Sequence, residues 1–407
     1  MTTYEDLGVR PVINAAATLT RLGGARMPAP VLQAMVDAAG AFVDLDALQE
    51  RVGARIATLT HNPACYVSSG AAAGLVLAVA ACIAGDDPEV VASFPYPEGR
   101  RREVVVHCCQ RNGFDYAIRQ TGARLVEIGT ASGAAPEELE AALTERTACV
   151  VYFAGAHFAR GALPLERVVQ AAHARGVPVI VDAAAQIPPI ANLWRFTGDL
   201  GADIAIFSGG KGLRGPQATG LVLGRPDLIA ACRRHGNPNH AIGRPMKVGK
   251  EELMGVLAAV EWSLAQDEAA LLERYEAMVR FWLEGLRGLP GVRAERGYPS
   301  EAGQPHARAI VRLDPACGLT RDALVDALLR ADPPVAVGVM GSDAIALNPQ
   351  TVEPGEERLV LHALRQALAM ENGGSQGGLA LPDSAGQAPG GYQRGGLGNS
   401  CRAAGNG

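Results

Sequence analysis

A lysine, an aspartate and a run of small residues are the parts of this sequence whose types and spacing can do chemistry. Lys211 stands in Ser208-Gly209-Gly210-Lys211-Gly212-Leu213-Arg214-Gly215-Pro216-Gln217, directly after the apolar run Ala205-Ile206-Phe207. A short apolar run ending in glycines reads as a buried strand that opens into a tight loop. Glycine is used where the backbone must take unusual angles or come close to a ligand. Burial strips water from an ammonium group and draws its pKa down from about 10.4. The neutral amine that results is the nucleophile needed for a Schiff base. A solvated loop lysine would carry the same local sequence, so the reading depends on what converges with it.

Three further stretches can converge. In Val181-Asp182-Ala183-Ala184-Ala185-Gln186 an aspartate ends an apolar strand. A carboxylate there can pair with a protonated pyridine nitrogen while small alanines leave room for a flat ring; capping the next helix is the structural alternative. Tyr66-Val67-Ser68-Ser69-Gly70-Ala71-Ala72-Ala73-Gly74 is a small-residue turn leading into a helix, whose exposed amides suit a phosphate. Ser208, three residues before Lys211, is placed to add a hydroxyl. The basic loop from Gly243 to Glu252, which contains Lys250, either reaches an anion on a neighbouring subunit or begins a helix.

The elements that must hold these residues alternate. Between residues 48 and 228, β-branched runs at 104–106, 124–128, 149–153, 178–181, 205–207 and 221–223 are separated by helical stretches such as 136–144 and 165–174. Strict alternation predicts an α/β fold with a mainly parallel sheet covered on both faces. Ligands in such sheets lie outside the carboxyl ends of the strands, where Asp182 and Lys211 both fall. The expected organisation is an N-terminal arm (1–47), a large domain (48–249), a bridging helix with a small α+β domain (250–371), and a disordered tail (372–407) rich in Gly, Ser, Pro and Gln.

Bulk properties narrow the class. The length of 407 residues suits two domains with a large core, and the formal charge of −5 offers no pull toward nucleic acid or anionic membrane. No apolar stretch is long enough to span a bilayer, and the first residues lack a signal-peptide pattern, so a cytoplasmic location is expected. The eight cysteines show no Cys-x-x-Cys spacing, so no metal site is expected.

The order of phosphate turn, strand-end Asp and strand-end Lys resembles the fold-type I pyridoxal 5'-phosphate enzymes. More specifically, the chain resembles the class V-like family of bacterial selenocysteine synthase, and within it the D-glucosaminate-6-phosphate ammonia-lyase-like group. Matching pieces are Val12-Ile13-Asn14-Ala15, Leu22-Gly23-Gly24, Phe42-Val43-Asp44-Leu45-Asp46-Ala47-Leu48-Gln49, Arg111-Asn112-Gly113-Phe114-Asp115 and Asn348-Pro349-Gln350-Thr351, besides the stretches above. The resemblance implies a seven-stranded-type sheet in the large domain. It implies that Lys211 carries the Schiff base and that Asp182 is the pyridinium partner. Ser69, Gly70 and Ala71 would hold the phosphate by backbone amides, assisted by Ser208. Ser68, Ala184, Gln186 and Lys250 complete the expected cofactor surroundings, and Arg21, Arg214, Arg308 and Gln110 are the candidates for substrate.

One departure is Gln110, where the group often has a histidine before the Arg-Asn pair; His107 lies three residues earlier. The activity implied is a lyase acting on an amino acid with a β-hydroxyl, most simply a 2-amino-2-deoxy sugar acid giving a 2-keto-3-deoxy acid and ammonia. Seryl-tRNA selenium transfer, or racemase or aminotransferase chemistry, are the alternatives on the same scaffold. A small-molecule partner, no nucleic acid or membrane, and a homodimer or larger homo-oligomer are expected.

Overall fold

The computed structural model describes residues 2–372. Apart from Asn372, the expected tail lies outside the described residues. The chain forms two compact units. Among the described residues, one comprises Thr18–Leu272 together with Pro299–Pro305; the other comprises residues 2–17, Glu273–Tyr298 and residues 306–372.

The larger unit is built on seven strands: β2 (Ala64–Ser68), β3 (Glu103–His107), β4 (Arg124–Ile128), β5 (Thr147–Phe153), β6 (Val179–Asp182), β7 (Ile204–Ser208) and β8 (Gly220–Gly224), the count starting from β1 (Ile13–Ala15) in the other unit. Their order is β2-β8-β7-β6-β5-β3-β4, and β8 alone runs antiparallel to its neighbours. Both faces are apolar. Val105, Val150, Val181 and Phe207 enter one core, while Val104, Val106, Val151, Ile180 and Ile206 enter the other. Period-two alternation thus sends successive side chains into two different cores, and a parallel sheet buried on both sides reads as a continuous β-branched run.

Helix α1 (Ala29–Ala39) is followed by α2 (Leu45–Leu59), which starts where the Asp44 carboxylate accepts from the Ala47 amide at 2.9 Å. Helix α3 (Ala71–Ala84) is apolar on every face, as a helix laid into a core must be. In the smaller unit, a five-stranded sheet has the order β1-β11-β12-β10-β9, with β9 (Val292–Gly297), β10 (Arg308–Leu313), β11 (Val335–Met340) and β12 (Ala344–Leu347). Its core is anchored by Trp282, fully buried, whose Nε1 donates to the Glu357 carbonyl at 2.9 Å.

Several boundaries differ from the sequence reading. The segment before the phosphate turn is a strand, β2, rather than part of the turn. The long helical region is two helices, Lys250–Leu264 and Glu268–Gly285, and the first of them belongs to the larger unit. Residues 13–15 join the smaller unit because β1 pairs in parallel with β11. No helix of the described residues is long and apolar enough to cross a membrane.

Candidate active site

Asp182 is the last residue of β6 and Lys211 follows the end of β7, and these two strands are hydrogen-bonded neighbours. Asp182 is buried, and Oδ1 accepts from the Ala184 amide at 3.0 Å. Burial pushes its carboxyl pKa up, while the Ala184 N–H and the Lys211 charge oppose that shift. Burial draws the Lys211 ammonium down, and the Asp182 charge opposes it. Each group is the charged partner the other feels, so the two face one site. Desolvation wins in both.

The lysine loop is pressed between backbone segments. A Cβ on Gly212 would stand 2.2 Å from the Ile187 carbonyl oxygen, so only glycine lets the loop lie against the segment that follows Asp182. On its other side Ala25 N donates to the Gly210 carbonyl at 3.0 Å, and Gln217 Nε2 donates to the Thr20 carbonyl at 2.8 Å.

The phosphate turn sits at the end of β2. Gly70 caps α3 with φ of +103°, and the first-turn amides of this 14-residue helix have no intrahelical acceptor. Half-buried Ser69 precedes it. Ser68 differs from expectation: it is buried, and its hydroxyl is engaged with the carbonyls of Gly70 (2.9 Å) and Gly220 (3.3 Å), which braces the turn. Gly220 pairs in register with Ser68 on one side and Ser208 on the other, so half-buried Ser208 reaches the same place as the turn.

The remaining candidates divide. Half-buried Ala184 holds Asp182 through its amide. Gln186 donates Nε2 to the carbonyls of Ala154 (3.2 Å) and Ala302 (2.8 Å), so its amide shapes the loop. Lys250 is paired with Glu251 and donates to the Ala39 carbonyl at 3.3 Å, within its own chain. Arg214 donates Nε to the Arg26 carbonyl at 2.8 Å and stacks 5.6 Å from the Trp262 ring centroid, a bracing role for the loop. Arg21 is exposed on the turn that carries Thr20. Arg308 opens β10 in the smaller unit.

Gln110 has no exposed surface. Its Oε1 accepts from Phe153 N at 3.1 Å, and Phe153 is the register partner of Asp182. His107, equally buried, accepts from Leu163 N at 3.3 Å through Nε2, and burial lowers its pKa to about 4. Gln110 thus holds the end of β5, and His107 holds the segment that leads into the helix Leu165–His173. Cys108 and Cys109 lie in the 3-10 turn Cys108–Gln110 that follows β3.

One contribution had no local signal. The loop Pro299–Pro305 belongs to the larger unit, and Gln304 Nε2 donates to the Ile187 carbonyl at 2.9 Å, behind the contact with Gly212. No pattern in a short polar loop foretells which backbone it will meet.

Similarity to known proteins agrees with this geometry. Residues 104–241 match the family model for aminotransferase class-V. The chain is 34% identical over 387 residues to the 5'-C-glycyluridine monooxygenase-decarboxylase of a Streptomyces species, covering 92% of this chain and 94% of that one. It is 34% identical over 375 residues to the D-glucosaminate-6-phosphate ammonia lyase of Salmonella typhimurium, covering 89% and 97% respectively. A solved structure of D-glucosaminate-6-phosphate ammonia-lyase superposes with a TM-score of 0.78 at 33% identity, over 91% of this chain and all of that one.

Proposed function

We propose that this chain, which belongs to the class-V aminotransferase-like family of D-glucosaminate-6-phosphate ammonia lyase, is a pyridoxal 5'-phosphate-dependent ammonia-lyase acting on a 2-amino sugar acid. The observation that carries the reading is the pair Lys211 and Asp182 on adjacent strand ends beside a turn with unfilled helix amides. The residues fit the cofactor. A lysine eased toward neutrality by burial can hold a carbonyl carbon, a buried carboxylate can hold a ring N–H⁺, and free amides can hold a phosphate.

When bound, pyridoxal phosphate supplies an electron sink that makes the Cα–H bond of an amino acid acidic. The protein does the rest. The amides of Ser69, Gly70 and Ala71, with the Ser208 hydroxyl, grip the phosphate, and the helix dipole of α3 adds to the hold. Asp182 keeps its proton-sharing role because the Ala184 N–H and the Lys211 charge offset part of its desolvation. Lys211 Nζ would serve as the base for the Cα proton, because burial eases the amine toward neutrality. It then offers a proton to the departing Cβ hydroxyl. One water leaves and one returns to release ammonia, so the net change is a 2-amino-3-hydroxy acid to a 2-keto-3-deoxy acid plus ammonia. Arg21 is the cation near the loop with its guanidinium exposed, and it is assigned to the substrate's anionic group.

A second copy completes the assembly in this reading. Phe42 is fully exposed (104%), with Val36 at 66% and Val43 at 51%, an apolar face on α1 and the loop after it.

The test is incubation with D-glucosaminate 6-phosphate, assaying 2-oxo acid and ammonia without an amino acceptor. Lys211→Ala abolishes both products and the borohydride-sensitive visible band. A second reading is favoured by the equal identity to the monooxygenase-decarboxylase. Oxygen uptake with release of carbon dioxide, in place of ammonia and keto acid, would decide for it.

A further inference from the structure

Strand β5 stands between β3 and β6, and successive amides of a strand face opposite neighbours. Val150 N and Ala154 N face β6, where they donate to the Pro178 and Asp182 carbonyls at 2.9 Å each. The Phe153 N–H therefore faces β3. The β3–β5 register sets Val105 opposite Val150, and its continuation sets Cys108 opposite Phe153. There β3 has already left the ladder for the turn Cys108–Gln110, and a side chain takes over from the strand. Gln110 Oε1 accepts from Phe153 N at 3.1 Å.

That bond has no substitute. Phe153 is 2% exposed and Gln110 has no exposed surface, so water does not reach the pair. The amide's orientation is fixed, because the reverse would set Nε2 against the Phe153 N–H. A side chain without surface cannot meet a substrate, so its role lies in what it holds. One residue further on, the Ala154 N–H donates to the Asp182 carbonyl, and the Ala154 carbonyl accepts from Gln186 Nε2 at 3.2 Å. The Asp182 main chain is thus carried by β5 on one side and by β7 on the other, where its register partner is Ile206.

We propose that Gln110 is a positioning residue for Asp182, acting through Phe153 and Ala154 as the last rung of β5. With Gln110 in place, the Asp182 carboxylate is held where it pairs with the protonated ring nitrogen of the cofactor. Without it, Phe153 N is a buried donor lacking an acceptor, a state folded proteins rarely keep. The end of β5 must then shift to satisfy that donor, and the carboxylate loosens from the ring. The inference rests on the cofactor reading of Lys211 and Asp182, and on no particular substrate.

The pH midpoint of the holoenzyme's visible band tests it. A carboxylate fixed beside the ring keeps the ring nitrogen charged, and that charge opposes a proton on the Lys211 nitrogen. Loosening the carboxylate therefore raises the midpoint. Gln110→Met, similar in length but without an acceptor, is expected to raise it by about half a unit or more, roughly threefold in proton affinity. Gln110→Glu, which keeps an acceptor oxygen, should return it toward the parent value. On an Asp182→Asn background Gln110→Met should add nothing, because both changes act through one carboxylate. A loss of stability alone would move none of these midpoints. His107 and Tyr152 lie beside the Gln110 amide, but burial takes the first down to about 4 and the second up, so neither titrates near neutrality.

Should Gln110→Met fail to fold, Gln110→Asn, which draws the acceptor back by one methylene, carries the same comparison. An unmoved midpoint overturns the inference, as does an equal shift on the Asp182→Asn background. A parent protein that forms no visible band with pyridoxal phosphate overturns the cofactor reading as well, which tells the two failures apart.

Discussion

Replacing Gly220 by alanine should weaken cofactor binding through the phosphate turn without touching any side chain of the site. Gly220 pairs with Ser68 on one side and Ser208 on the other. A Cβ there would lie 2.6 Å from the Gly70 carbonyl carbon and 2.8 Å from Ala71 N, whereas ordinary contact begins at 3.4 Å. The shortfalls are 3.4 − 2.6 = 0.8 Å and 3.4 − 2.8 = 0.6 Å, against backbone atoms that cannot rotate away. Overpacking of this kind costs about 1–3 kcal/mol. The atoms pushed belong to the turn whose amides are proposed to hold the phosphate. Losing one amide bond to an ionised oxygen removes about 1.5–3 kcal/mol, roughly a 10- to 150-fold rise in Kd. The assay is a pyridoxal phosphate titration followed by visible absorbance, alongside thermal unfolding of the apoprotein. Gly198→Ala, with open space around its Cβ, is the control and should match the parent. A Kd within about twofold of the parent would refute the reasoning. Were the apoprotein destabilised at the same time, the strain would have been taken up by β8 and not by the turn.

Two further outcomes follow from the buried charges. Asp182→Asn removes the charge that opposes the desolvation of Lys211, so the lysine pKa in the apoprotein should fall further; the pH midpoint of Lys211 acylation reads it, and an unmoved midpoint would show that the two groups do not share a site. Burial lowers His107 and His235 from 6.5 to about 4, so each contributes stability that is complete above 6.5 and lost as pH falls through about 4. The loss is roughly 3 kcal/mol for each histidine. Urea unfolding of the apoprotein across that window should show the decline, with about half of it gone in His235→Leu; a flat profile would contradict the burial.

Much of this was legible in the chain. The β-branched runs at 104–106, 149–153 and 205–207 became β3, β5 and β7 because burial on both faces demands continuous apolar sequence, which local pattern records, whereas the run at 124–128 became the edge strand β4, exposed at Arg124 and Glu127. Strand β2 was harder to read because its residues, Ala64-Cys65-Tyr66-Val67-Ser68, run into a small-residue turn with no break in composition. The pairing of β1 with β11 joins residues more than three hundred positions apart, which no local pattern encodes.

Within the site, residue type alone determined which groups can do chemistry: a lysine among glycines, an aspartate ending an apolar run, and a small-residue turn before a helix. These depend on the strand-to-loop transition beside them, and so are written in neighbouring residues. Tertiary structure alone decided what each side chain is free to do. It engaged the Ser68 hydroxyl with two carbonyls, sealed Gln110 beneath Phe153, stacked Arg214 on Trp262, and left Lys211 and Asp182 facing each other. The physical reason is that a polar group's role is set by the partners that reach it and the water that does not, and both arrive from distant parts of the chain.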